Sequence, residues 1–391
     1  MVANNILKVL YAPQKAFKEI VQNPRYLGPF ILLIILVVAQ VGSSYVVASR
    51  SYIEQTMPAG DQGDVWTQNA ALWQANSGVT VSNNTADYIN GTYYGSISIE
   101  FSASNASSVW MELNNLDGSV DCGVDGFKNV SLRVKIVTPN VKPENVSLYL
   151  YSLSASNFYY DLTNAFSNST VNVWNNITLP VGSGDWLSSN TAASWENITS
   201  LKMDFAWPSN SSIDLRIDGL FFRGNFKSPL EIYGSSYFAS SALNAVSPFI
   251  FQWLLLTGLM YVIIKGLKGN VTWKPLMVAV GFALVTMVVQ AFIILVTYTM
   301  LPNLYYPLEF LAGVPREFDV ARQVILNAIA TVTLIGGIVQ IAVYVWTVAL
   351  GAIITRAITA FGWLKSILVS AAAFVVTVEF LLPLLLSFFG F

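Results

Sequence analysis

Nine asparagines stand two residues before a hydroxyl within one polar stretch of the chain: Asn83, Asn90, Asn105, Asn129, Asn145, Asn168, Asn176, Asn197 and Asn210. This Asn-x-Ser/Thr spacing lets the hydroxyl help present the amide to a transferase, so the chemistry on offer is covalent N-glycosylation. The stretch is rich in Asn, Ser and Thr, and its composition alone yields about five such sites. The excess is moderate; the topology derived below supplies the second argument for modification. A tenth match, Asn270, falls in a short loop on the other side and is expected to stay bare. Other chemistries are scarce. The 391 residues include no histidine, which removes imidazole metal sites and His-dependent nucleophiles. Paired carboxylates remain a catalytic route but none is indicated, and the chain reads as non-enzymatic. The one cysteine, Cys122, has no intrachain partner. Many sequons without disulfides fit an archaeal cell surface better than a eukaryotic secreted domain. With 11% charged residues, a net charge of -2 and no basic patch, nucleic acid is not an expected partner.

Two further groups could act without covalent change. If Leu148, Leu150, Phe158 and Tyr160 face a core, strand parity turns Tyr149, Tyr151 and Tyr159 outward, where phenol rings could stack on sugars. The alternative is packing against another subunit or a covering loop. Trp110, Trp174, Trp186, Trp195 and Trp207 are expected in core or edge packing instead. Glu379 sits well inside an apolar span, four residues before Pro383. An acid there is costly unless neutral, paired or wetted. It could move protons or cations, or it could join helices through Gln252, Gln290 or Gln340; with no second acid in any span, the structural role is favoured.

The elements that position these groups belong to two solvents. Apolar spans are expected at residues 27–47, 245–264, 276–301, 324–354 and 367–389, each long enough at about 1.5 Å per residue to cross a core of about 30 Å. The first follows a charged region too long for a signal peptide, so an uncleaved anchor is expected. Lys8, Lys15, Lys18 and Arg25 precede it, Lys265, Lys268 and Lys274 fill the second-to-third loop, and Arg356 and Lys365 fill the fourth-to-fifth. Glu19 is the sole acid among them, so these segments lie inside by the positive-inside rule. The expected location is the plasma membrane, with a cytoplasmic N-terminus and with residues 49–246 and the C-terminus extracellular. Gly336 and Gly337 in the fourth span are expected to permit close helix packing.

Within the exported segment the hydrophobic period falls to two. Val130, Leu132, Val134 and Ile136 alternate with polar neighbours, as do Val146, Leu148 and Leu150; Leu201, Met203 and Phe205; and Ile213, Leu215 and Ile217. Further strands are expected at 96–101, 109–113, 158–162 and 170–179. About eight short strands between Gly, Asn, Pro and Ser turns indicate an antiparallel sandwich. Residues 126–136 (GFKNVSLRVKI), 172–180 (NVWNNITLP) and 212–222 (SIDLRIDGLFF), in that order, resemble the galactose-binding-like jelly roll common among carbohydrate-binding modules. The resemblance covers about residues 86–225. It implies glycan or protein binding in general terms, because the fold serves many roles. It also implies a structural calcium, for which Asp87, Glu100 and Asp218 are the candidate ligands, against the alternative of three solvated carboxylates.

Residues 6–21 place Ile6, Val9, Leu10, Phe17, Ile20 and Val21 against Lys8, Lys15 and Lys18, the pattern of an interfacial segment on the inner leaflet. Residues 12–20 (APQKAFKEI), 23–28 (NPRYLG), 265–282 (KGLKGNVTWKPLMVAVGF) and 345–361 (VWTVALGAIITRAITAF) together resemble the YIP family of Rab-interacting five-span proteins and their prokaryotic relatives. The eukaryotic Asp-Leu-Tyr-Gly-Pro segment is absent and Gly281-Phe282 replaces the usual Gly-Tyr, so binding of Rab-type GTPases is not carried over. The expected architecture is an α-helical five-span membrane domain with an all-β jelly roll inserted between the first and second spans. Its parts are residues 1–48, 49–246 and 247–391. The expected function is a surface protein presenting a glycosylated sandwich to glycans or envelope proteins. An accessory subunit of a membrane assembly comes second, and a transporter or channel using Glu379 third. The bilayer and N-glycans are the implied partner and modification; no cofactor beyond the possible calcium is expected.

Overall fold

A computed structural model describes residues 2–152, 156–182 and 184–388. The chain opens with α1 (Val2–Tyr11), α2 (Pro13–Gln22) and the long α3 (Leu27–Ala48). There follow β1 (Ser51–Met57), β2 (Trp73–Ala75), β3 (Thr80–Asn84), β4 (Ser98–Leu113), β5 (Asn129–Thr138), β6 (Asn145–Ser152) and β7 (Asn157–Asp161). A short helix α4 (Thr163–Ser167) precedes β8 (Asn175–Pro180), β9 (Leu187–Ser188) and β10 (Ile198–Lys227). The remainder is α5 (Pro229–Tyr233), α6 (Ser236–Gly266), α7 (Trp273–Ala283), α8 (Val285–Tyr298), β11 (Leu304–Tyr306), α9 (Leu308–Leu311), α10 (Glu317–Ile358), α11 (Trp363–Val375), a π-helical turn Val376–Leu381 and α12 (Leu382–Phe388). Two compact units result. One is helical and takes the chain up to Ser51, Ser228–Leu304 and everything from Leu326; the other takes Tyr52–Lys227 and Tyr305–Ile325.

The helical unit contains five helices long and apolar enough to cross a membrane: Leu27–Ala48, Ser236–Gly266, Trp273–Tyr298, Glu317–Ile358 and Trp363–Ser387. They match the five expected spans in order, although residue 389, the expected end of the fifth, lies outside the described residues. The third is interrupted at Leu284, where α7 passes into α8. The fifth widens to a π-turn over Val376–Leu381, just where Pro383 has no N–H to return to the carbonyl of Glu379. A Cβ on Gly336 would meet Ile294 at 3.6 Å, an ordinary contact, and the tighter helix approaches fall elsewhere. A Cβ on Gly337 would meet nothing within 4 Å, whereas one on Gly28 would sit 2.0 Å from the Phe282 ring and one on Gly281 2.6 Å from Pro29. The two sequence stretches 23–28 and 265–282 therefore interlock, with Trp253 Nε1 donating to the Met277 carbonyl at 2.7 Å. A Cβ on Gly351 would likewise collide with Ser370.

The second unit is an antiparallel β-structure organised on β4 and β10, which pair from Leu201–Leu113 to Ile217–Ile99. In the first half of β10 this ribbon is flanked by β2 on one side and by β6, β7 and β9 on the other. In the second half β3 flanks β4, and β5 and β8 flank β10. The inward residues of both halves, from Ile99 and Val134 to Leu148 and Met203, share one core. The expected strands 96–101 and 109–113 are thus one strand, as are 201–205 and 213–217. Register shifts between Ala206 and Ile213 absorb the polar residues without ending the ladder. Conversely, 170–179 is a strand only from Asn175, because Asn172 takes φ 59 and turns the chain.

Tyr305–Ile325 belongs to this unit through a buried cluster of Tyr94, Phe221, Leu308, Ala312 and Val314. It is also held by charge. Arg223 forks between Glu54 (2.8 Å) and Glu309 (2.6 Å), and Arg133 reaches Glu317 at 2.6 Å. Glu54, nearly fully buried, accepts further bonds from the N–H groups of Gly224 (2.8 Å) and Leu308 (2.5 Å).

Candidate functional site

On β6 the core takes Val146, Leu148 and Leu150, each with no exposed surface, so Ser147, Tyr149 and Tyr151 point the other way. The ladder then aligns a row across five strands: Tyr159 on β7, Tyr149 on β6, Lys202 on β10, Glu112 on β4 and Gln74 on β2. The adjacent row carries Asp161, Ser147, Asp204 and Trp110. All three predicted tyrosines meet here. Tyr149 and Tyr151 stack with centroids 6.4 Å apart at 25°, and Tyr159 leans on Tyr149 at 5.3 Å. The three rings are half-buried. Burial, with Asp204 near Tyr149 and Glu112 near Tyr151, raises both phenol pKa values above the ordinary one, so the hydroxyls stay able to donate as well as accept.

Lys202 stands at the centre of this face. Its ammonium lies 5.1 Å from the Trp110 ring centroid and 5.8 Å from that of Tyr149, and 3.4 Å from Asp204. The face therefore combines aromatic platforms with a cation and carboxylates at its middle, a set able to stack on an apolar surface and bond hydroxyls beside it. Sequence reasoning missed Lys202. Its alternation with Leu201 and Met203 puts it outward, but nothing local says which strand stands beside it. Trp110, assigned to packing by sequence, lies on this face half-buried. Trp186 and Trp207 are buried, each donating its indole N–H to a carbonyl, and Trp195 stacks on Phe158 at 3.7 Å. Trp174 donates to Asp87 at 3.1 Å.

Of the three acids expected to hold calcium, Asp87 and Glu100 meet at a guanidinium and Asp218 lies elsewhere. Asp87 is bridged by Lys135 (2.8 Å) and Arg216 (2.5 Å), and Glu100 lies 3.5 Å from the same guanidinium. Burial opposes the Asp87 charge, but its bonds to Lys135 and Arg216 outweigh that and hold its carboxyl below the usual range. Asp218 is separate and fully buried beside Asp64. Among the described residues no group of three or more His, Cys, Asp or Glu could hold a metal. The reason is physical: the Arg216 guanidinium already stands between Asp87 and Glu100, and Asp218 is apart from both.

Glu379 is exposed on the π-turn, and no hydrogen bond joins it to Gln252, Gln290 or Gln340 among the described residues. The expected helix-joining contact is not made. Gln252 is buried on α6. Gln290 and Gln340 line a cavity of about 370 Å³ with Gln40, Tyr298 and Gly336, and Gln340 also bonds Tyr344 at 2.5 Å. Of the nine sequon asparagines, Asn129 and Asn197 are half-buried and the other seven are exposed.

No protein-family model matches the chain, and no curated protein matches it. Among solved structures, the chain is similar to the family 11 carbohydrate-binding module from Clostridium thermocellum solved with a beta-1,3-1,4-mixed-linked tetrasaccharide. That likeness has 13% identity and a TM-score of 0.28, and covers 43% of this chain and 94% of the module. A family 30 carbohydrate-binding module of a C. thermocellum cellulosomal cellulase is similar at 10% identity and a TM-score of 0.28, over 40% of this chain and 92% of that one. A beta-1,2-glucanase from Parabacteroides distasonis matches at 14% identity and a TM-score of 0.27, over 41% of this chain and 23% of the enzyme.

Proposed function

We propose that this chain is a non-enzymatic, multipass surface protein whose β-unit is glycosylated, lies outside the membrane and binds glycan through its tyrosine face. The observation that carries the binding reading is the contact of Tyr151 and Tyr159 with Tyr149, which itself faces Lys202, on one half-buried sheet face. A pyranose offers an apolar face to such rings and hydroxyls to the ammonium and carboxylates beside them.

The membrane part rests on the five long apolar helices and on the charge of their connections. One fold observation supports the five-span arrangement independently of charge. Tyr305–Ile325, which connects the third and fourth spans, packs in the same unit as the strands between the first and second. Five spans that place one of those connections outside place the other there too. The interlock of residues 23–28 with 265–282 supports a YIP-like helical domain, because the resembling stretches form one packed core. The exposed sequons suit an extracellular β-unit at a cell surface of archaeal type.

The test is binding by the full chain in detergent across a broad polysaccharide panel. We expect binding that Tyr149→Ala with Tyr151→Ala weakens by about tenfold, as loss of two stacking rings implies. Absence of binding throughout the panel, or an unchanged affinity in the double variant, would sink the glycan reading. A second reading, an accessory subunit of a membrane assembly, is favoured by exposed Glu379 on an apolar span, since a partner helix could pair it. Stoichiometric co-purification in mild detergent supports it, and a clean monomer counts against it.

A further inference from the structure

The helical unit carries a small cavity that neither the tyrosine face nor Glu379 explains. About 260 Å³ in volume, it is lined by Gln14 and Lys18 of α2, Ile353, Arg356 and Ala357 of α10, and Trp363 of α11. Gln14 and Lys18 lie one turn apart on the polar side of α2, whose other side buries Ala16, Phe17 and Ile20. The Arg356 guanidinium carbon lies 4.4 Å from the Trp363 ring centroid, a cation–π contact beside the opening that both residues line. Neither Lys18 nor Arg356 has an ion-pair partner among the described residues.

A neighbouring cavity shows the contrast. It too contains lysine, Lys8, but there Glu19 satisfies the ammonium at 2.7 Å. A cation in the last turn of α10 is favoured by the helix dipole alone. That accounts for the position of Arg356, and it accounts neither for Lys18 on another helix nor for the indole beneath the guanidinium. Two convergent cations, one amide donor and an apolar wall of Ile353, Ala357 and Trp363 suit an oxyanion whose other end is apolar.

We infer that Lys18, Arg356 and Gln14 form a binding site for a phosphate group, presented by the headgroup of an anionic phospholipid. The phosphate oxygens would take charge-assisted bonds from Arg356 and Lys18, with Gln14 donating at the mouth. Ile353 and Trp363 would face the glycerol and upper acyl carbons. The lipid source rests on the membrane reading above; the oxyanion chemistry does not.

The test is native mass spectrometry of the full chain in detergent with added phosphatidylglycerol, phosphatidylcholine or inorganic phosphate. Phosphatidylglycerol is expected to be retained in preference to phosphatidylcholine. Lys18→Gln and Arg356→Gln should each lower that retention about fivefold, since a basic residue near anionic lipid contributes about 1 kcal/mol. Lys268→Gln, a cation outside the cavity, should leave it unchanged. Inorganic phosphate that displaces the lipid would identify a free oxyanion as sufficient; lipid retained against phosphate would assign the source to the headgroup. Equal retention in wild type and both site variants, or an equal loss in Lys268→Gln, would overturn the site. Failure of the membrane reading is separately visible, as a chain that needs no detergent to stay soluble.

Discussion

Asp64 and Asp218 place two carboxyl groups against each other in the interior of the β-unit, and no sequence motif marks them. The N–H of Gly219 donates to Asp64 at 2.6 Å and that of Ile89 to Asp218 at 2.6 Å, while the Thr67 hydroxyl bonds to both acids. Burial, reinforced by the neighbouring Asp64 charge, pushes the Asp218 carboxyl up to about 9. Burial also raises Asp64 above its ordinary value. The pair therefore holds a proton in the folded chain that an unfolded carboxyl, at about 3.9, has released. Where the unfolded state binds fewer protons, unfolding becomes easier as pH rises. Stability from this pair is full below about pH 4 and is lost as pH climbs towards about 9. The unfolding free energy, from denaturant titration followed by tryptophan fluorescence, should fall across that window by about 1.4 kcal/mol per pH unit for each proton the pair retains. Asp218→Asn keeps the shape and supplies a permanent donor to Asp64, so its melting point should vary less with pH; an unchanged slope would show that the pair does not share the proton.

Among the elements, β1, β10 and α9 are joined by one guanidinium. Burial works against the Arg223 cation, yet its bonds to Glu309 and Glu54 outweigh that and raise its pKa. Glu54 is only 4% exposed, so removing Arg223 would strand an uncompensated buried carboxylate. Arg223→Ala is expected to cost about 3–5 kcal/mol and to open Tyr305–Ile325 to protease. Glu309→Ala should cost less, because Glu54 keeps its partner. Limited proteolysis with mapping of the cut sites separates these outcomes, and equal resistance of wild type and Arg223→Ala would refute the lock. The same scale explains the fifth span. Its π-turn follows from Pro383, and it is the turn that carries Glu379.

For the whole molecule the decisive question is which connections face which solvent. Cys122 helps to answer it. Its thiol is 1% exposed and burial pushes it up to about 12, so it should be inert to maleimide. Single cysteines can then be introduced without removing it. Asp319→Cys, exposed at the start of α10, should react with a membrane-impermeant maleimide on intact cells, and Asn270→Cys only after lysis. Reaction of both, or the reverse order, would contradict the proposed orientation. Asn145 adds a constraint on any glycan ligand. It lies four residues from Tyr149 on the same strand and the same parity, so a sugar attached there would stand about 13 Å from the tyrosine face.

Periodicity in the sequence determined the local geometry of both units. Alternation from Val146 to Tyr151 placed three tyrosines on one outward face, and runs of apolar residues located five long helices, because a side chain's direction repeats within a few residues. The absence of histidine and the lone cysteine likewise bounded the chemistry without any fold. Tertiary structure alone decided what those faces meet. It set Lys202 between Trp110 and Tyr149, put Arg216 between Asp87 and Glu100, and left Glu379 exposed. The distances along the chain explain the division: Glu54 and Arg223 are 169 residues apart, and Arg133 and Glu317 are 184. A hydrophobic pattern read over ten residues carries no record of a partner that far away; only the register of the strands and the closing of the core bring the two together.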